Sequence, residues 1–169
     1  MMQAMTQPLE MSSSAGFEAF FHEHYERLLK AVYLVTGNRG EAEDLAQEAF
    51  VKVYERWDKV AGLDNPMGYL YRAAINAHTS RLRRLAVAAR KTFAPRHADP
   101  LEASDDRDQI RRALAGLSEG QREAIVLVEW LGMTDDEAGR VLGVAPVTVR
   151  VRISRARQAL QGTRGDHDE

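Results

Sequence analysis

Arginine is where this sequence concentrates its chemistry. Between Ala145 and Gln161 stand Arg150, Arg152, Arg155 and Arg157, with no acidic residue among them. Between Pro66 and His97 stand Arg72, Arg81, Arg83, Arg84, Arg90, Lys91 and Arg96, again with no acid. A guanidinium fork matches phosphate oxygens and the acceptor edge of guanine. Two acid-free basic segments in one chain therefore suit two contacts with a polyanion. The ordinary alternative is a pair of helices with solvated arginine faces. Acids gather elsewhere: at Glu41, Asp44, Glu48 and Glu55, and at Asp99–Asp108, where five face only Arg107. The overall balance of 23 basic and 25 acidic residues, net −2, hides this segregation.

The elements that carry these residues follow from apolar spacing. On a helix from Ala145 to about Gln161, Val149, Ile153, Ala156 and Leu160 share a core face. Val147, Val151, Ser154 and Gln158 fall opposite. Arg150 and Arg157 border that ridge on one side; Thr148, Arg152 and Arg155 border it on the other. Such a surface suits the major groove, with arginines on phosphates or guanine and small apolar groups on thymine methyls. Thr134-Asp-Asp-Glu137 reads as a capping box opening a short helix to Leu142, and Gly143 ends it. The two helices make a helix-turn-helix. A plain helical hairpin would leave its two outward valines unexplained. Ser118-Glu-Gly-Gln121 is a second capping box, ahead of the apolar run Ala124–Trp130.

Upstream, a first helix has its apolar face at Phe17, Phe20, Phe21, Tyr25, Leu28, Leu29, Val32 and Tyr33, and stops at Thr36-Gly37-Asn38. A second runs from about Arg39 to Trp57. Ala46, Ala49, Phe50, Val53 and Trp57 face inward, and Glu41, Asp44, Glu48 and Glu55 face outward around Val51. This acidic stripe suits a basic protein partner, or is simply solvated. Val60–Asn65 reads as a loop, and Asn65-Pro66 as cap and first residue of a third helix reaching about Ala89. Tyr71, Ile75, His78, Leu82 and Leu85 make that helix's apolar face, with His78 a core histidine. Its other face carries Tyr69, Arg72, Asn76, Thr79, Ser80 and Arg83. Rings, amides and arginines on one stripe suit single-stranded nucleic acid, and an ordinary solvated face is the alternative.

The expected fold is all-α: two small helical domains on a flexible linker, the C-terminal one a helix-turn-helix. Expected bounds are a mobile tail at 1–15, a first domain at 16–91, a linker at 92–108, a second domain at 109–162 and a tail at 163–169. The absence of cysteine excludes disulfides, thiolate zinc and a cysteine nucleophile. No apolar run approaches the roughly 18 residues of a membrane span, and no secretory signal is evident. A cytoplasmic protein without membrane insertion is the expectation. P-loop, dinucleotide and nucleophile motifs are absent, and His22 and His24, two apart, do not share a helix face. Neither an enzyme, a cofactor nor a metal is expected.

These segments resemble bacterial RNA polymerase sigma factors. Ala42-Glu-Asp-Leu-Ala-Gln-Glu-Ala-Phe50, running on to Trp57, is similar to their polymerase-binding helix. Asn65-Pro-Met-Gly-Tyr-Leu-Tyr-Arg-Ala-Ala-Ile-Asn76, then Arg81-Leu-Arg-Arg84, resembles the helix that melts and reads the −10 element. Leu117–Ala124, Met133–Val144 and Thr148–Arg157 resemble the −35-reading domain. The presence of these two domains alone points to the extracytoplasmic function (ECF) group.

The resemblance implies a non-catalytic promoter-specificity subunit whose partners are core RNA polymerase (β′ clamp and β subunit) and promoter DNA, with an anti-sigma factor as a further candidate partner. It assigns polymerase docking to Asp44, Gln47 and Glu48. It assigns −10 DNA to Lys59, Tyr69, Arg72, Asn76 and Arg83, with Lys59–Asp64 as a base-pocket loop. It assigns −35 DNA to Val147, Thr148, Arg150, Arg152, Ser154 and Arg155. The linker would thread toward the polymerase active site. Tyr69 stands where the family often has tryptophan, and Ala145-Pro146 where a serine-containing cap is commoner. A self-standing helix-turn-helix regulator and an inert helical adaptor are the competing readings.

Overall fold

Four polar residues start helices by capping them. Asn38 Oδ1 accepts from the Glu41 amide and Asn65 Oδ1 from the Gly68 amide, both at 2.8 Å. Ser118 with Gln121, and Thr134 with Glu137, form the two reciprocal capping boxes read from the sequence. The cap bonds hold the Glu137 carboxyl below its ordinary value. Gly68 has a packing reason: a Cβ there would lie 2.8 Å from the Asn65 amide nitrogen.

The computed structural model describes residues 14–90 and 105–165, and every regular element among them is helical. In chain order these are α1 (Ser14–Thr36), α2 (Arg39–Tyr54), the single turn α3 (Trp57–Val60), α4 (Pro66–Ala89), α5 (Asp105–Ala115), α6 (Glu119–Ile125), α7 (Asp135–Leu142) and α8 (Pro146–Gly165). A π-helical turn, Val126–Trp130, continues α6, with the Leu131 amide bonded to the Val126 carbonyl.

Several bounds differ from expectation. The second helix stops at Tyr54, because Arg56 leaves helical geometry (φ −125°, ψ 20°). The break turns Trp57 and Val60 into the core, and the Trp57 ring packs 5.1 and 5.5 Å from Phe20 and Phe17. α1 begins inside the expected tail and α8 runs past its expected end. α5 starts at Asp105, inside the expected linker; acidic residues suit the positive end of a helix dipole. The remaining linker, 92–104, lies outside the described residues, as do tail positions 1–13 and 166–169. Leu85, expected in the core, is exposed, because the end of α4 extends beyond its packing partners.

α1, α2 and α4 form the first module, around Leu28, Leu45, Leu70 and Tyr71. α6, α7 and α8 form the second, around Leu127, Val141 and Val149. The modules pack together: α7 lies on α4, and α6 and its π turn lie on α1. Ala124, Ile125, Val126 and Leu127 are buried consecutively because this stretch has neighbours on both sides. Arg122 rivets the contact. Its guanidinium donates to the Leu114 and Leu117 carbonyls at 2.9 Å and, across the junction, to Val35 at 2.8 Å. Arg27 donates the other way, to the Leu131 carbonyl at 2.9 Å.

Candidate nucleic-acid interfaces

The break after α2 places its last turn beside the first turns of α4. Between them lies a cleft of about 440 Å³ lined by Lys52, Glu55, Arg56, Tyr69, Arg72, Ala73 and Asn76. The Tyr69 ring offers a stacking surface, Asn76 an amide for a base edge, and Lys52, Arg56 and Arg72 cations for a backbone. Three expected residues, Tyr69, Arg72 and Asn76, thus meet in one cleft. Lys59 and Arg83 are exposed but lie outside its lining. Lys52, Glu55 and Arg56 were missed. Their spacing of three and four marks one helix face, but only the fold brings that face against α4.

The ridge on α8 is present. Val149, Ile153 and Ala156 are buried, whereas Val147 and Val151 are 56% and 43% exposed. Arg150, Ser154 and Arg155 are exposed and Thr148 is half-buried. Arg150 lies 3.3 Å from Asp135 at the start of α7, and Arg157 pairs with Glu129. Arg152 is placed differently. It is half-buried with its guanidinium over Gly120, where a Cβ would come within 2.9 Å of Cζ. Its charge acts on Glu123 inside the second module.

On α2, Asp44, Gln47 and Glu48 are exposed together, with Val51 and Tyr54 as exposed apolar neighbours. Glu48 is bonded to Lys52 at 2.8 Å, and Asp44 lies 3.8 Å from Arg81. Glu41, expected on this outer stripe, is turned inward instead. Its Oε1 is buried 3.4 Å from His78 Nδ1, because α4 packs against that flank of α2.

His78 is buried, as expected of a core histidine, yet its surroundings are ionisable. Nε2 lies 2.6 Å from Glu119 Oε1 across the module junction. Burial alone would lower its pKa, but the hydrogen bond and the charges of Glu119, Glu41 and Glu123 outweigh it and raise it. Glu123 is also buried, and burial beside Glu119 pushes its carboxyl up to about 7. Ligand atoms of His78, Glu119 and Glu123 all lie within 4.8 Å of one another. Of the other histidines considered from the sequence, His22 is exposed and His24 packs on Phe20 at 4.5 Å.

Comparison with known proteins gives these faces a context. Residues 20–87 match the family model of sigma-70 region 2, and residues 107–160 that of sigma-70 region 4. ECF RNA polymerase sigma factor SigE of Mycolicibacterium smegmatis is 28% identical over 169 residues, covering 94% of this chain; the chain spans 65% of that relative's length. ECF RNA polymerase sigma factor SigM of Mycobacterium tuberculosis is 30% identical over 155 residues, covering 86% of this chain and 75% of SigM. Among solved structures, the sigma factor RpoE of Bartonella quintana, in complex with the anti-sigma factor NepR, shares the fold. Its TM-score is 0.82 at 24% identity, over 91% of this chain and 99% of that one.

Proposed function

The chain belongs to the ECF group of RNA polymerase sigma factors, and on that premise we propose how its three faces divide the work of promoter recognition. The acidic face of α2, Asp44, Gln47 and Glu48 with Val51 beside them, docks on the β′ clamp of core polymerase. The cleft between α2 and α4 takes unpaired bases of the −10 element. Tyr69 stacks, Asn76 bonds a base edge, and Arg72, with Lys59 and Arg83 farther along, holds the backbone. The exposed ridge of α8, Val147, Thr148, Arg150, Ser154 and Arg155, enters the −35 major groove. Arg152, turned under Gly120, supports the α6–α8 packing and reads no base. The subunit catalyses nothing: melting is coupled binding, in which captured bases offset an unstacking cost of a few kcal/mol each. It works in the cytoplasm, and an anti-sigma protein is a further partner.

The observation that carries this reading is the exposure of one negative and two cation-bordered faces on separate modules. Geometry adds a requirement. Elements about 25 base pairs apart are separated by about 85 Å of duplex. A compact chain of this length has a radius of gyration of roughly 15 Å. The packed arrangement cannot span both elements, so the α4–α7 and α1–α6 contacts must open on the promoter.

The test is run-off transcription with purified core polymerase over a genomic promoter library. Start-site-selective RNA that depends on this chain supports the reading. Tight, specific duplex binding by the isolated chain, with no effect on polymerase, refutes it.

A further inference from the structure

His78 belongs to α4 of the first module; Glu119 and Glu123 belong to α6 of the second. We propose that these three side chains bind a divalent cation of the zinc, cobalt or manganese type, and that the ion clamps the two modules together.

Glu119 and Glu123 are four apart and share a face of α6. Their ligand atoms and a ring nitrogen of His78 lie within 4.8 Å of one another. Ligands on a tetrahedral zinc with bonds of about 2.05 Å sit ~3.3 Å apart, so modest side-chain movement closes the set. Glu119, with a side chain 35% exposed, has room for it. A second observation points the same way. The His78 side chain is 4% exposed, and its buried Nδ1 has no hydrogen-bond partner among the described residues; it lies 3.4 Å from Glu41 Oε1, which likewise has none there. A histidine that ligates a metal through one nitrogen commonly turns its other N–H toward a carboxylate. Glu41 stands where that carboxylate belongs, so metal binding would release the Nε2 proton that bonds Glu119 in the metal-free chain and turn the freed lone pair on the ion.

The donors are one imidazole and two carboxylates in a chain without cysteine, a set suited to borderline and hard divalent ions. The surrounding cations engage the outside of the cluster. Arg122 approaches Glu119 through Oε2, at 3.9 Å, and His78 meets its Oε1. Arg81 lies 4.0 Å from Glu41 and 3.8 Å from Asp44. Arg152 acts on Glu123 from α8. Two carboxylates crowded beside a buried histidine repel each other, and a bound cation relieves the repulsion. Because its ligands come from both modules, the ion would favour the packed arrangement over the open one. The consequence for promoter use rests on the sigma-factor reading; the site itself does not.

The test uses the whole 169-residue chain without polymerase, so its failure leaves that reading standing. Co²⁺ and Zn²⁺ are titrated by calorimetry, and Co²⁺ is followed by its visible absorption. Amide exchange across α4 and α7 is measured with and without the ion. One ion per chain is expected, with at least tenfold weaker binding in Glu119→Gln and His78→Gln and slower exchange in α4 and α7 when it is bound. Should His78→Gln fail to fold, Glu119→Gln decides. No binding, equal affinity in Glu119→Gln, or binding that leaves exchange unchanged overturns the proposal.

Discussion

His78 Nε2 lies 2.6 Å from Glu119 Oε1, although 41 positions of sequence separate the two residues. The contact joins a histidine of α4 to the first turn of the second module. With Glu123 and Glu41 beside it, the joint between the modules is chemically responsive.

Protons alone should tighten this joint. His78 and Glu123 both hold a proton more firmly in the folded chain than in the unfolded one. The stability due to His78 is complete below about 6.5 and fades as pH rises through its elevated folded value. That due to protonated Glu123 is complete below 4.5 and is lost as pH rises to about 7, a span worth ~3 kcal/mol. With chelator present, the thermal midpoint should therefore climb as pH is lowered from 8 to 6, and Glu123→Gln should flatten the profile. A midpoint that falls over this range would contradict the assignment.

Removing Arg122 should loosen the packing of both modules. Its guanidinium satisfies three carbonyls, one of them in α1. Each charged hydrogen bond contributes about 1.5–3 kcal/mol, and lost partners leave half-buried acceptors behind. Arg122→Ala should cost about 3 kcal/mol or more in urea unfolding. Arg122→Lys, a point charge without the planar fork, should restore only part of it.

Tyr71 offers the opposite sign. The ring is buried in the first module, its hydroxyl has no hydrogen-bond partner among the described residues, and burial pushes its pKa up to about 12. Tyr71→Phe deletes a desolvated polar group and keeps the packing. Stability should be unchanged or higher by up to about 1 kcal/mol; a loss above that would reveal a partner for the hydroxyl.

The proposed docking face is separable from the fold. Asp44 and Glu48 are exposed, so Asp44→Lys with Glu48→Lys should leave the circular dichroism and melting curve nearly unchanged. Co-purification with core polymerase should disappear. Retention of the double variant on core would remove α2 as the docking element.

Arg150 tests base reading on α8. It is exposed and 3.3 Å from Asp135, which holds it near the start of α7. Arg150→Ala should relax preference at one −35 position by roughly 1–3 kcal/mol if the contact is bidentate. Lys59→Ala, at an exposed cation outside the cleft, should weaken promoter binding without changing sequence preference. An unaltered promoter profile for Arg150→Ala would exclude it from base contact.

What the sequence determined by itself is local. Asn65, Ser118 and Thr134 announce helix starts because a cap needs only a side chain and an amide two or three residues on. Val149, Ile153 and Ala156 announce a buried stripe because helical periodicity is set by the backbone. The outward Val147 and Val151 followed from the same arithmetic, as did the exposure of Asp44 and Glu48, whereas Gln47 came from the family resemblance.

Only the tertiary structure decided which stripe meets which. Glu41 left the acidic face because α4 lies against its flank, and Arg152 left the flank of the α8 ridge because Gly120 makes room for it. Lys52, Glu55 and Arg56 joined Tyr69, Arg72 and Asn76 because the chain breaks at Arg56. The joint of His78, Glu119 and Glu123 depends on one module settling on the other. The physical reason is shared: a charged side chain's partner is set by distances across space, and those distances depend on how all the apolar stripes pack at once.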